Sequence, residues 1–232
     1  TLGRMTNRHE EYFNTQWQYS TNGTLERLTS TNGYAQIYDY DDLLRPESVT
    51  DSIGSQELTT AYSYDENGRV SEVTYPGGFG VTYTYQNGAL KEIHRSDNDD
   101  LIWQLNDITA RGEITSVAYG NSLSTTKTYN NKGQLLSIQT GYNDSIQDLE
   151  YSYNSNGTMQ WRIDHRHSSI TENFIYDNLK RLTASMVGTD TISIEYASNG
   201  NIESKSDLGD YAYSTIHPNA VINVSGSDSM DL

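Results

Sequence analysis

One short pattern recurs along this chain: two aromatic residues separated by a polar one, a turn ending in glycine, and an apolar residue two positions further on. Asn-Gly occurs at Asn22-Gly23, Asn32-Gly33, Asn67-Gly68, Asn87-Gly88, Asn156-Gly157 and Asn199-Gly200. Between alternating segments this dipeptide signals a hairpin, because a type I′ turn needs positive φ at both central residues. Five of the six follow an aromatic pair: Trp17/Tyr19, Tyr62/Tyr64, Tyr83/Tyr85, Tyr151/Tyr153 and Ile194/Tyr196, with Ile in place of the first aromatic. Leu25, Val70, Leu90, Met159 and Ile202 stand two positions after the glycine.

Weaker copies fill the gaps. Gly3 precedes Met5, Gly112 precedes Ile114, and Gly133, after Tyr129, precedes Leu135. In Tyr38-Asp39-Tyr40-Asp41-Asp42-Leu43-Leu44 and Tyr176-Asp177-Asn178-Leu179-Lys180, Leu44 and Lys180 hold the glycine place. The anchors at 3, 23, 44, 68, 88, 112, 133, 157, 180 and 200 lie about 22 residues apart, the signature of a repeat architecture. Residues 1–224 therefore read as one array of about ten units, and 225–232 as a polar C-terminal tail. Tyr211 and Tyr213 open one more unit.

Each period has room for two strands of roughly seven residues and none for a helix of ordinary length. Before the turn, aromatic residues alternate with Ser, Thr, Gln or Asp, as in a strand with one buried face. After it, apolar residues fall three apart, as in Leu25/Leu28, Val70/Val73 and Leu135/Ile138. That spacing calls either for a β-bulge that resets the phase or for partial cover on both faces. About twenty strands at roughly 4.8 Å would give a sheet on the order of 95 Å wide, and sheets that wide curl. The expectation is an all-β, curved, antiparallel sheet of hairpins stacked in sequence. Its aromatic side should pack between neighbouring hairpins, and its Ser/Thr/Asp side should be wet.

Composition narrows the function. Nineteen of 232 residues are Tyr and only 34% are hydrophobic, so the regular spacing, not the apolar content, is what argues for a folded chain. Fifteen Lys and Arg against 31 Asp and Glu leave a charge of −16, which argues against nucleic-acid or anionic-membrane binding. The chain has no Cys, which removes disulfides, thiolate metal sites and thiol nucleophiles. No apolar run approaches the roughly 18 residues of a membrane span, and the N-terminus does not resemble a signal peptide. A start without Met and a Ser/Asp-rich end are expected of a piece of a longer protein.

Tyr64-Asp65-Glu66-Asn67-Gly68-Arg69-Val70 closely resembles the Tyr-Asp-x-x-Gly-Arg-Leu unit of the YD-repeat, or RHS-repeat, family. Tyr176-Asp177-Asn178-Leu179-Lys180-Arg181-Leu182 is similar, with Lys in the Gly position. Tyr75-Pro76-Gly77-Gly78 and Tyr119-Gly120-Asn121 match further habits of the family, and His217-Pro218-Asn219-Ala220-Val221 resembles its His-Pro-x-Ala-Val segment. The resemblance implies a β-hairpin sheet spiralling into a hollow shell. In bacterial members, toxin complexes among them, the shell encloses a C-terminal toxic polypeptide; in the more distant teneurins a related barrel serves adhesion. It implies a secreted or cell-surface bacterial protein. Ten units are too few to close a shell alone, and neither the core segment with its aspartyl self-cleavage site nor a toxin domain is present.

The repeat assigns structural roles to Tyr19, Gly23, Tyr40, Tyr64, Asp65, Gly68, Tyr85, Gly88, Gly112, Tyr129, Gly133, Tyr153, Gly157, Tyr176, Asp177, Tyr196 and Gly200. Elsewhere, Asp97, Asp99 and Asp100, and Glu10-Glu11, read as solvated acidic loops. His165-Arg166-His167 would place two imidazoles on one face of a surface strand, with no third metal ligand in the pattern. Gly77-Gly78-Phe79-Gly80 joins strands and so offers no helix terminus to a phosphate. No Gly-x-Ser-x-Gly elbow occurs. Asn22-Gly-Thr and Asn156-Gly-Thr match glycosylation sequons that hairpin turns already explain.

Trp103 and Trp161 lie off the regular Tyr positions and are the candidates for stacking on a sugar ring. The reading is a non-enzymatic wall segment with no catalytic, cofactor or metal residues. Its partners would be the rest of a parent protein and its cargo. The alternative is an extracellular carbohydrate-binding or adhesion module.

Overall fold

The computed structural model describes residues 3–9, 12–226 and 230–231. The fold is all-β and antiparallel, as expected; its one helical turn is a three-residue 3-10 segment, Tyr142–Asp144, among the described residues. The chain divides into two compact units: Thr1–Asn106 with Ala118–Ser122, and Asp107–Val117 with Leu123–Leu232.

The first unit runs through Asn7–His9 (β1), Asn14–Tyr19 (β2), Leu25–Ser30 (β3), Tyr34–Tyr40 (β4) and Pro46–Ile53 (β5). It continues with Gln56–Tyr64 (β6), Val70–Thr74 (β7), Gly80–Gln86 (β8), Ala89–Arg95 (β9) and Leu101–Ile108 (β10). From β1 to β10 each strand pairs antiparallel with the next. The unit boundaries fall within β10 and Ile114–Tyr119 (β11).

The second unit holds Ser124–Tyr129 (β12), Leu135–Thr140 (β13), Gln147–Tyr153 (β14), Met159–Asp164 (β15), Ile170–Tyr176 (β16) and Leu182–Val187 (β17). Asp190–Tyr196 (β18), Ile202–Lys205 (β19), Gly209–Tyr213 (β20), Val221–Ser225 (β21) and Met230–Asp231 (β22) complete it, again pairing in sequence.

The turns differ from the expected type. Only Asn87-Gly88 puts both residues at positive φ, 53° and 83°. In the other five Asn-Gly pairs the glycine alone is left-handed. There the glycine N–H closes a turn onto the carbonyl three residues back, as Gly68 does on Asp65 at 2.9 Å, while Asp65 N–H returns to the Arg69 carbonyl at 2.8 Å. This is a type I turn followed by a left-handed residue, the three-residue hairpin loop that builds a bulge. Pattern alone could not separate it from the two-residue loop, because both favour glycine at the left-handed position. Leu44 and Lys180 occupy that position with φ of 61° and 63°, as their place in the repeat required.

The bulge also explains the apolar spacing of three. Tyr19 faces Leu25 while Gln18 faces Arg27, so Glu26 is skipped and Leu28 returns to the face of Leu25, opposite Trp17. The same shift precedes Tyr40, Tyr64, Tyr85, Tyr129, Tyr153, Tyr176, Tyr196 and Tyr213. The two faces of each unit are thereby sorted: tyrosines and aliphatics on one, mainly small polar and acidic residues on the other. Burial stays shallow. Among the described residues Ala35, Val73 and Val81 in the first unit, and Val117 and Val224 in the second, are the buried apolar residues, and the tyrosines of the strands are half-buried.

Candidate functional site

The geometry that recurs is a lock between successive hairpins. Seven of the turn-proximal tyrosines reach back to the carbonyl of the residue two places after the preceding anchor. In the first unit Tyr19 donates to Met5 O at 3.1 Å, Tyr40 to Leu25 O at 2.8 Å, Tyr64 to Pro46 O at 2.7 Å and Tyr85 to Val70 O at 2.7 Å. In the second, Tyr129 donates to Ile114 O at 3.0 Å, Tyr196 to Leu182 O at 2.9 Å and Tyr213 to Ile202 O at 2.9 Å. A phenol fits this task because its ring covers the neighbouring hairpin and its hydroxyl satisfies a carbonyl of that hairpin.

Arginine adds a second lock. Asp65 Oδ1 accepts the N–H groups of Asn67 and Arg69, both at 2.9 Å, and Oδ2 accepts Arg69 Nε at 2.7 Å. The guanidinium so oriented lies 4.3 Å from the ring centre of Tyr85, in the next hairpin. Asp41 holds Arg45 over Tyr64 at 4.2 Å, and Asp177 holds Arg181 over Tyr196 at 4.4 Å. Planar guanidinium stacks on an aromatic face while its edge stays hydrogen-bonded to a carboxylate.

All three aspartates are held below the usual carboxylate range. For Asp41 the Arg45 side chain is the main cause. For Asp65 desolvation pushes upward but is outweighed by the Arg69 side chain and the turn N–H groups. For Asp177 the Arg181 N–H leads.

Where Asp is absent, the pair across the turn changes together. Asn130 donates to Gln134 at 2.9 Å, Asn154 to Thr158 at 2.9 Å, and Ser20 and Thr24 share a hydroxyl contact at 2.8 Å. The coupling of these two positions was not read from the sequence, although Asp paired with Arg in all three Asp-containing turns was a signal for it.

Charge is divided between the faces. On the non-tyrosine face of the first unit Arg27 is set against Asp39, Glu57, Glu72 and Glu92. On the same face of the second unit stand Asp148, Glu150, Glu195 and Asp210, with no Lys or Arg among the paired strand residues. The tyrosine face is mixed: Arg8, Arg95 and Asp51 in the first unit; Lys127, Arg162 and Lys205 with Asp164, Glu172 and Asp190 in the second.

The other sequence candidates are dispersed. Trp103, in the first unit, faces Ile93 on the tyrosine side. Trp161, in the second, faces Ser152 and Asn173 on the opposite side. Both are half-buried. His165-Arg166-His167 lies on a turn, not on a strand as expected, because β15 ends at Asp164. His165 meets Glu150 at 3.1 Å and His167 meets Asp164 at 2.7 Å. No group of three or more His, Cys, Asp or Glu residues arranged to hold a metal occurs among the described residues.

Asp97 pairs with Arg95 at 2.6 Å, and Asp100 accepts Asn98 at 2.7 Å. Asp99 offers its carbonyl to His94 at 2.9 Å. Glu10-Glu11 lies outside the described residues. Gly77-Gly78 forms the connecting turn expected of it, with Gly78 N–H on Tyr75 O at 3.1 Å.

Strand, glycine-closed loop, bulge and backward-reaching tyrosine define a β-hairpin repeat protein. Residues 40–79, which contain the Asp41–Arg45 and Asp65–Arg69 turns, match the RHS repeat family and hold an RHS repeat. A search of curated proteins finds no match to the sequence. Among solved structures, the fold is similar to that in the crystal structure of TcdB2–TccC3–Cdc42: 14% identity, TM-score 0.69, covering 90% of this chain and 15% of that one. A Tc holotoxin pore of Photorhabdus luminescens matches with 14% identity and TM-score 0.68, over 90% of this chain and 13% of that one. TcdB2–TccC3 without its hypervariable C-terminal region matches with 11% identity and TM-score 0.55, over 94% and 17%. This chain thus spans about a sixth or less of the proteins whose fold it shares.

Proposed function

We propose that the chain is a wall segment of a larger RHS-repeat protein whose shell encloses a C-terminal toxin or effector polypeptide. The observation that carries this reading is the lock repeated from hairpin to hairpin. Where it occurs it joins a hairpin to the one before it without a separate core, so an array can extend by addition of repeats. The fold shared with Tc toxin proteins, over a small fraction of their length, supports the same reading.

The mechanism is containment. A hydrogen-bonded wall keeps proteases from an enclosed polypeptide, and a face of mainly polar and acidic side chains, interrupted in the second unit by Trp161, Ile163, Ile175 and Met186, limits what that polypeptide can collapse onto. The role is mechanical, with no catalytic step. Such a parent acts outside the cell that makes it. Among the described residues no helix is long and apolar enough to cross a membrane, which leaves β-barrel insertion unaddressed.

Limited proteolysis of the parent protein tests the proposal. The segment downstream of the array should survive protease while the array is intact, and should be digested once Tyr→Ala substitutions at Tyr64 and Tyr85 open the wall. Equal digestion in both proteins would refute containment.

A further inference from the structure

One hairpin of the second unit breaks the locking pattern and leaves a cavity. The turn that ends at Gly200 has Ala197 where three turns have Asp and others have Ser, Thr or Asn, and Asn201 where those three have Arg. Unlike these turns it has no side-chain pair across it. Ala197 has no polar side chain to bridge the turn, and Asn201 Nδ2 instead donates to Pro218 O at 2.7 Å. The next tyrosine, Tyr213, keeps its hydroxyl bond to Ile202 O at 2.9 Å. Its counterparts Tyr64, Tyr85 and Tyr196 are each covered by an arginine of the preceding turn, at 4.2 to 4.4 Å. Beside Tyr213, where that guanidinium would lie, there is a cavity of about 490 Å³ lined by Asn199, Asn201, Glu203, Tyr211, Tyr213 and Pro218, among others.

The lining suits the group that is missing. Tyr211 and Tyr213 bring two phenol rings, and Glu203 is the only charged residue in the wall of the cavity. Asn201 turns its Nδ2 to Pro218 O and has its Oδ1 to offer, while Asn199 Oδ1 already accepts the Asn201 N–H at 3.0 Å and keeps one lone pair. A planar cation with several N–H donors uses all three: it stacks on a ring, pairs with a carboxylate and donates to amides. Lysine, a compact and strongly hydrated ammonium, uses the charge but not the plane.

We propose that this cavity is a binding site for the guanidinium group of an arginine side chain carried by another polypeptide segment. The three arginines of this chain that an aspartate holds over a tyrosine are its template: the incoming arginine takes the place that Arg45, Arg69 and Arg181 occupy. The inference concerns the local site and stands whether or not the wall encloses a cargo.

The test is a titration of the ¹⁵N-labelled 232-residue chain, read at the side-chain amides of Asn199 and Asn201, with N-acetyl-arginine amide, N-acetyl-lysine amide and free arginine. Saturable binding of the blocked arginine, about fivefold tighter than that of the blocked lysine, is expected from the added stacking. Glu203→Gln, at an exposed position, should weaken it several-fold. The double variant Ala197→Asp/Asn201→Arg, which supplies an internal guanidinium, should abolish it with little change in the amide spectrum elsewhere.

Shifts that do not saturate, equal affinity for lysine, or binding that survives in the double variant would overturn the assignment. Tighter binding of free arginine than of the blocked form would overturn its assignment to a polypeptide.

Discussion

Removal of a single hydroxyl isolates the lock. Tyr85→Phe keeps the ring, and with it the stacking of Arg69 at 4.3 Å, but deletes the 2.7 Å hydrogen bond to Val70 O. A net hydrogen bond contributes about 0.5–1.5 kcal/mol, and a half-buried carbonyl left without its donor adds part of a desolvation cost. The sum is about 1–2 kcal/mol, which for a chain of this size lowers the melting temperature by roughly 2–8 °C. Thermal unfolding followed by far-UV circular dichroism, with urea unfolding alongside, measures it.

Hydrogen exchange gives the sharper readout. Because the bond joins two hairpins, the variant should speed exchange on both sides of it, in β7 and in β8. Tyr85→Leu in combination with Arg69→Met then separates ring and cation, with a coupling of about 0.5–1 kcal/mol expected for an exposed cation–π pair. A Tyr85→Phe protein whose melting temperature and exchange match the parent's would refute the claim that the hydroxyl holds the hairpins together.

Other outcomes follow from the same geometry. Leu44→Gly should stabilise by about 1 kcal/mol, since Leu44 is held at φ 61° where a Cβ is disfavoured; a loss of stability in urea would count against that account. Native Asp41, Asp65 and Asp177 titrate below their unfolded values, so their contribution is in place above about pH 4 and is lost as pH falls through the lowered native values. An acid titration of Asp65→Asn should therefore show a shallower loss of stability than the parent. His94 is shifted the other way, chiefly by its bond to the Asp99 carbonyl, with Glu92 adding to it. Its contribution is complete below about pH 6.5 and fades as pH rises through the raised value, and His94→Gln should remove that alkaline loss. On a glycan array the wall reading expects no saturable binding; saturable binding lost in Trp103→Ala or Trp161→Ala would replace it with the carbohydrate-binding reading.

Period, strand pairing and the left-handed places of the repeat turns were legible in the amino acids, whereas the left-handed Asp99, Ser122, Asn143, Asp144, Ser168 and Ser169, in connections outside the repeat pattern, were not. Local interactions decide the legible features: alternation sorts side chains to faces, and a left-handed residue must close each loop, so even Leu44 and Lys180 could be placed by counting. Chain-order pairing needs no distant partner, which is why a repeat of about 22 residues carried the fold so far. Three further things escaped. The loop type did, because two- and three-residue loops both place a glycine at the left-handed position. So did the choice of a bulge over two covered faces, which depends on the hydrogen-bond register between strands. The third was the tie between hairpins: Tyr85 and Val70 are 15 residues apart, and Arg69 reaches Tyr85 across a strand boundary. Period-2 patterning says which face a tyrosine takes, but not which carbonyl its hydroxyl will find. That is set only when bulge, turn and neighbouring strand are in place together, and the same packing decides where a missing Asp–Arg pair leaves room beside Tyr213.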